Sequence, residues 1–409
     1  MSEFIANSEK RLHDLLAFSL GMMNGENGRE LMEKYSDALN SITPHDMLKL
    51  EDRQMQMGIS ATTIKKDVDK VVNTFFKQLS KYSWQRPAEG SFLFYLMLEN
   101  QALGFKLNQI KKVLKSFSKR EAENFDDLRT ELIPHFESLQ EFDWHYVKKE
   151  NILFPYLEQK WEAYRPLKVM WSLHDDARKM LKELIQLLKD ENTVWAEINQ
   201  KIGKYFFMTF GIIQKEELVI YPVAVDTVSP EEWDTMHEQS FEFPFPFIEG
   251  PQKPITHNEK VSHEAVGSSP KSFGGLFQTA TGALNTEQLE LILNSFPADI
   301  TFVDENDKVR YFSRPADRFF PRSPAIIGRD VRNCHPPESV YIVEQIIDGF
   351  RSGQRSEAKF WINMKGQFIL IQYFALRNSE GAYKGVLEMS MDATEIRTLQ
   401  GEQRLLDWG

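Results

Sequence analysis

The chain has 409 residues, 49 Lys and Arg against 60 Asp and Glu, a formal charge of −11 and one cysteine. At roughly 150 residues per domain this is two to three domains, and 42% hydrophobic residues give each a core, which excludes global disorder. A single cysteine excludes an intrachain disulfide framework and any zinc site built on several thiolates, and the acidic balance argues against nucleic-acid binding through bulk charge.

Acidic residues come early in the first twenty positions, and no apolar core with a small-residue cleavage site follows, so no signal peptide is expected. The longest strongly apolar run, Phe92 to Leu98, is far too short to span a membrane. A cytoplasmic protein is therefore expected, with neither membrane nor nucleic acid as partner. Residues 1–76 read as a small all-helical module. Its signals are an apolar stripe at Leu12, Leu15, Leu16 and Leu20, and a helix start at Thr43-Pro44 with Asp46 near the positive helix end. Ser60 then caps a helix carrying Ile64, Val68, Val71 and Phe75. Residues 84–225 hold four longer amphipathic helices, at 91–116, 124–157, 165–190 and 193–221, whose short connections predict an up-down-up-down four-helix bundle.

Residues 226–284 change character. Pro230-Glu-Glu-Trp233 opens a short helix, then Phe241-Glu-Phe-Pro-Phe-Pro-Phe247 and a Ser/Gly/His-rich stretch read as a linker whose aromatics are able to dock on a neighbouring domain. From 285 to 398 a helix at Thr286–Ser295 precedes two strands, Asp299–Asp304 and Val309–Ser313. A loop- and helix-rich middle follows, then three more strands at 356–363, 367–376 and 383–391. This predicts an α+β domain with one sheet face open to a ligand, followed by a tail, 399–409. No Gly-rich phosphate loop stands between a strand and a helix, and no nucleophile constellation or kinase motif is present, so no enzymatic activity is expected.

The most informative feature is internal. His145-Tyr-Val-Lys-Lys-Glu-Asn-Ile-Leu-Phe-Pro155 and Ile212-Ile-Gln-Lys-Glu-Glu-Leu-Val-Ile-Tyr-Pro222 align without a gap, pairing Glu150 with Glu217, Phe154 with Tyr221 and Pro155 with Pro222. Two helices ending in one signature suggest duplicated helical hairpins. His and Glu about a turn apart are able to converge on an ion in a bundle core, and His174 and Glu99 lie on other helices of the same bundle. With Lys168-Val-Met-Trp171 and His174-Asp175, these segments resemble the hemerythrin-like, or HHE cation-binding, domain. The resemblance implies a four-helix bundle holding iron, with metal roles for His145, Glu150, His174 and Glu217. The sequence departs from that pattern: residues 84–134 and 175–236 contain no histidine, and Ile212 stands at the position equivalent to His145. Three readings stay open: no metal, one mononuclear site, or a di-iron site completed by Glu99, Glu150, Glu216 and Glu217. The Lys-Glu and Glu-Asn pairs serve equally well as buried salt bridges.

The stretch Leu31-Met-Glu-Lys-Tyr35 with Ile42-Thr-Pro-His-Asp-Met47 and Gly58-Ile59 is similar to an uncharacterised bacterial helical domain that precedes such bundles. Its Cys-Asp-x-His segment is replaced here by Lys65-Lys-Asp-Val-Asp69. Asp299–Ser313, Gly328–Pro337 and Gly385–Thr394 resemble a PAS domain, a fold that cups small ligands and often dimerises. Cys334-His335 in it is a candidate ligand or haem site; the alternative is that Asn333 caps a turn, Cys334 is buried packing, and the two prolines start the next helix. The expected function is a sensor or regulator: PAS and a degenerate hemerythrin-like bundle bind a small ligand or redox signal, and an unidentified protein partner or a PAS homodimer reads it. The rival is metal chemistry in iron, oxygen or nitric-oxide handling.

Overall fold

The computed structural model describes residues 2–117, 125–251, 277–279, 281–315 and 318–401. The chain divides into two compact units, Met1–Gln252 with Pro336–Glu338, and Lys253–His335 with Ser339–Gly409. The first is all helical. It opens with α1 (Ser2–Met23), α2 (Gly28–Lys34), α3 (Ser36–Asn40), α4 (Pro44–Gln56) and α5 (Ala61–Leu79). The start of α4 is as the sequence demands. Thr43 Oγ1 accepts from the Asp46 N–H at 3.2 Å and the Asp46 carboxylate accepts from the Thr43 N–H at 2.9 Å, a closed capping box with Pro44 behind it. Ser60 caps α5 by a single bond, its Oγ accepting from the Thr63 N–H at 3.1 Å. The side chains of Val68 and Val71, and of the Lys66–Asp69 segment, lie outside the described residues.

The bundle follows as α6 (Phe92–Phe117), α7 (Phe125–Leu139), α8 (Asp143–Lys148), α9 (Phe154–Lys160), α10 (Pro166–Lys189), α11 (Trp195–Lys215) and α12 (Tyr221–Thr227). The helix expected at 124–157 is thus interrupted. A 3₁₀ turn, Gln140–Phe142, separates α7 from α8, and a π-helical turn, Lys149–Leu153, separates α8 from α9. A second π turn, Glu216–Ile220, separates α11 from α12. Each π turn runs into the shared signature, and the cause is the same proline. Pro155 and Pro222 carry no N–H for the carbonyl one turn back and would clash with it, so the helix widens just before them.

One apolar core runs from Leu12 through the bundle to Phe243, so the helices of 1–76 and those of 84–225 share it. Ion pairs reinforce the contact: Arg165 holds Asp52 at 3.0 and 3.1 Å, and Lys65 holds Asp176 at 2.7 Å. The head of the expected linker also belongs to this unit. Helix α13 (Pro230–Ser240) buries Met236, and its His237 stacks on Tyr95. Phe245 meets Tyr95 edge-on and Phe247 stacks on Phe142. Pro244 and Pro246 separate these phenylalanines, and the chain turns at Pro246-Phe247, where Phe247 has a φ of 66°. Residues 252–276 lie outside the described residues. No described helix is long and apolar enough to cross a membrane.

The second unit starts with a short hairpin, β1 (Phe277–Thr279) and β2 (Gly282–Leu284), and α14 (Thr286–Ser295). The main sheet comprises β3 (Asp299–Asp304), β4 (Val309–Phe312), β5 (Glu357–Met364), β6 (Gln367–Arg377) and β7 (Tyr383–Asp392). Its order is β4-β3-β7-β6-β5, antiparallel throughout, with α15 (Val340–Arg351) and irregular segments between β4 and β5. Cross-strand partners share a face. Asp299 faces Ser390, Thr301 faces Glu388, and Glu388 faces Tyr373.

Candidate functional site

The π turns set the chemistry of the bundle interior. In a regular helix successive side chains point about 100° apart, so three in a row do not face one core. Widening at Lys149 turns Lys148, Lys149 and Glu150 inward together, and all three are buried; Lys215 and Glu216 repeat this in the second copy.

Glu216 is the hub. Its carboxylate accepts from Asn100 Nδ2 at 3.0 Å, from the Tyr221 hydroxyl at 2.9 Å and from the Lys149 ammonium, and His145 Nε2 stands 3.3 Å away. His145 Nδ1 meets Glu99 at 2.7 Å, and Glu99 also takes the Lys148 ammonium. His174 Nδ1 meets Glu150 at 2.8 Å, and Arg178 grips both oxygens of Glu150 at 3.0 and 2.8 Å. Lys215 is held between both oxygens of Glu51 at 2.7 Å, which ties α4 to the second π turn. Phe245 roofs Lys148, whose Nζ lies 3.8 Å from the ring centroid, and each imidazole stacks on an aromatic, His145 on Phe142 and His174 on Tyr146.

Four carboxylates thus meet four cations inside the protein: Glu99 with Lys148, Glu216 with Lys149, Glu51 with Lys215, Glu150 with Arg178. Burial raises the Glu150 and Glu216 carboxyls, but their charged and hydrogen-bonding partners overrule it. Arg178 and His174 hold Glu150 down to about 2, and Lys149 with the two histidines holds Glu216 well below the ordinary range. Burial lowers the His174 imidazole, with Lys149 adding to the effect, which keeps it neutral. A depressed carboxyl stabilises the fold above its unfolded pKa, and this contribution vanishes as pH falls through the folded value. Glu150 therefore contributes ~3 kcal/mol at pH 5 and above, lost between pH ~4.5 and ~2. Urea titrations of wild type and Glu150→Gln at pH 7, 5 and 2.5 are expected to show a gap at the first two that closes at the third.

Of the residues expected to hold metal, His145, Glu150 and His174 lie in this network. Glu217, which aligns with Glu150, is half-buried; its carboxyl is pushed up by its own burial and by the adjacent Glu216, while Arg86 and a hydrogen bond with Asn100 draw it down. Glu216 takes the inward place. The lysine partners were legible only as generic Lys-Glu pairs.

In the second unit the sheet's inner face is polar. Asp299 accepts from the Phe319 N–H at 2.8 Å through Oδ2, while its Oδ1 and the Ser390 hydroxyl are buried without a hydrogen-bond partner. The Arg322 guanidinium approaches Glu388 only to 3.9 Å, beyond hydrogen-bond range, with both side chains mostly buried. Burial pushes the Asp299 and Glu388 carboxyls up and the Arg318 guanidinium down to about 10. His335 falls to about 4 by burial, with Arg322 and Arg329 adding to the shift.

Cys334 ends a 3₁₀ turn, Val331–Cys334, capped by Asp330 rather than by Asn333. Its thiol donates to the Asp330 carbonyl at 3.7 Å, and the half-buried Cys334 packs against the Val303, Val309 and Ile326 cluster. Helix α15 starts at Val340 behind Ser339, three residues past Pro337, with a turn over 337–339 between them.

Two family models match the chain: a hemerythrin HHE cation binding domain over residues 92–224, and a PAS domain over residues 289–394. No curated protein matches it. Among solved structures, the C-terminal domain of a Streptococcus mutans protein shares 33% identity, covering 31% of this chain and 98% of that one, with a TM-score of 0.30. The PAS domain of a Colwellia psychrerythraea protein shares 14% identity over 27% of this chain and 97% of its own, with a TM-score of 0.22. A sensory box sensor histidine kinase from Vibrio cholerae shares 14% over 26% and 89%, with a TM-score of 0.21.

Hemerythrin HHE domains typically bind iron, and the residues present here do not fit it. As the chain stands, no group of three His, Cys, Asp or Glu side chains among the described residues is placed to hold a metal ion, and ammonium groups already sit on Glu99 and Glu216. By the two matches, residues 92–224 belong to the hemerythrin HHE cation binding domains and residues 289–394 to the PAS domains.

Proposed function

We propose that this chain is a non-catalytic sensory or regulatory protein whose small ligand binds on the inner face of the PAS sheet. The bundle, in this reading, is an internally neutralised scaffold. One observation carries the reading: buried polar groups on that face are left unsatisfied, namely Ser390 Oγ and Asp299 Oδ1, and the Arg322 guanidinium stands 3.9 Å from Glu388, beyond hydrogen-bond range. Unmet buried donors and acceptors are costly, so a site that keeps them is poised for a polar ligand. The pattern fits a small organic acid, its carboxylate on Arg322 and a donor group on Asp299 and Ser390.

PAS domains commonly mediate dimerisation and signalling contacts. The readout proposed is accordingly protein–protein contact, with a second copy or another protein, and α14 offers exposed Leu291 and Ile292, with Phe296 just past its end, for it. Iron, oxygen or nitric-oxide handling is favoured by one feature, two imidazoles backed by carboxylates, and opposed by the lysines beside them.

The test is to denature the purified full-length chain in methanol, analyse what it releases by mass spectrometry, and screen small organic acids by thermal shift. Wild type is expected to release or bind one such acid, and Arg322→Gln to lose it at least tenfold, about 1.4 kcal/mol. Identical behaviour of the two proteins, or no ligand for either, would sink the reading.

A further inference from the structure

We infer that Lys149 is a built-in counter-ion standing where a metal ion would be held, and that removing its charge opens a mononuclear divalent-cation site made by His145, His174 and Glu216. The inference rests on the scaffold reading of the bundle above.

The first support is how the imidazoles are aimed. Each turns Nδ1 to a carboxylate, His145 to Glu99 at 2.7 Å and His174 to Glu150 at 2.8 Å. That leaves both Nε2 atoms towards the two oxygens of Glu216, at 3.3 and 3.7 Å. A carboxylate behind the distal ring nitrogen is the usual support of a metal-binding histidine, because it fixes the ring and raises its basicity. The second support is an unmet group. His174 Nε2 is buried and has no hydrogen-bond partner, and 3.7 Å is too long for one. A neutral imidazole lone pair facing an ionised carboxylate is repulsive unless a cation shares the space. The Lys149 ammonium, bonded to the oxygen of Glu216 that His174 faces, is that cation.

The third support is the repeat. Lys149 and Glu216 are equivalent positions of the two copies, each the first residue of its π turn. Each copy thus sends the same position inward, and the two side chains meet as an ion pair across the core. A carboxylate at both positions would place two like charges face to face beside two imidazoles, a donor set of two nitrogens and two carboxylates that suits Zn²⁺, Co²⁺ or Fe²⁺. Lysine at one position supplies the positive charge from within the chain, and its ammonium blocks the coordination point.

The experiment uses the full-length chain as wild type, Lys149→Ala, Lys149→Gln and Lys149→Glu, stripped with chelator and titrated with Co²⁺ (visible absorption) and Zn²⁺ (calorimetry and thermal shift). Wild type is expected to take up no stoichiometric metal. Each variant is expected to gain one equivalent, with ligand-field bands, a Zn²⁺-dependent rise in Tm, and loss of both when His174→Ala is added. If Lys149→Ala folds only once Zn²⁺ is supplied, the inference gains the same support. A folded Lys149→Gln and Lys149→Glu that bind neither ion would overturn the latent site and leave the scaffold reading standing. Stoichiometric binding by wild type would overturn both.

Discussion

Lys148→Met is expected to destabilise the helical unit by ~3–5 kcal/mol, because it strands a carboxylate in the core. Glu99 is fully buried, and its two cationic or donor neighbours are the Lys148 ammonium and His145 Nδ1. Methionine matches the lysine stem in length and keeps the packing under Phe245, so the loss is electrostatic rather than a cavity. Glu99→Gln strands the lysine instead and is expected to cost a similar amount. The double variant removes both charges, and the glutamine carbonyl still accepts from His145. Its cost is expected to fall below the sum of the singles by ~1–3 kcal/mol. Urea unfolding followed by far-UV circular dichroism measures all four corners of the cycle. Additive costs would mean that Lys148 and Glu99 do not share an ion pair.

Much of this site was visible in the chain, and the part that was not has a physical reason. The repeat pointed to the right two segments, and His145, His174, Glu150 and Glu99 were all placed in one bundle. The sequence offered the Lys-Glu pair as one open alternative, a buried salt bridge, but periodicity does not turn Lys148, Lys149 and Glu150 inward together, because successive residues of a helix with 3.6 residues per turn point about 100° apart. Only the π turn ahead of Pro155 makes them core residues. The same widening swaps Glu217 for Glu216: alignment matches like with like, whereas the core pairs unlike partners, Lys149 with Glu216. Phe243, Phe245 and Phe247 looked like linker residues since prolines separate them, yet their rings dock on Trp144, Tyr95 and Phe142. In the PAS domain the strands were legible from their alternation. The polar inner face was not, because Arg322 and His335 come from irregular segments where no period says which way a side chain points.

Gly385→Ala is expected to unfold the PAS unit selectively while the helical unit keeps its transition. Gly385 lies inside β7, paired with Asp304 on β3 and close to Leu376 on β6, at a φ of +131° that an L side chain rarely adopts. A methyl there would drive into the Val303 carbonyl oxygen and approach the Asp304 Cα and the Phe302 ring to 3.0 Å. Strain at such a backbone conformation costs ~1–3 kcal/mol, and the contact with β3 adds to it because a paired strand has nowhere to retreat. The next residue on β7, Val386, is buried and pairs with Val303 of the core, so displacing the strand disturbs that packing too. Calorimetry of the full chain is expected to show the PAS transition lowered or absent and the helical transition unmoved. The variant also separates the two halves of the function proposed above. Ligand release should vanish with the PAS fold, whereas the Lys149→Glu metal site, built wholly in the bundle, should survive when Gly385→Ala is combined with it.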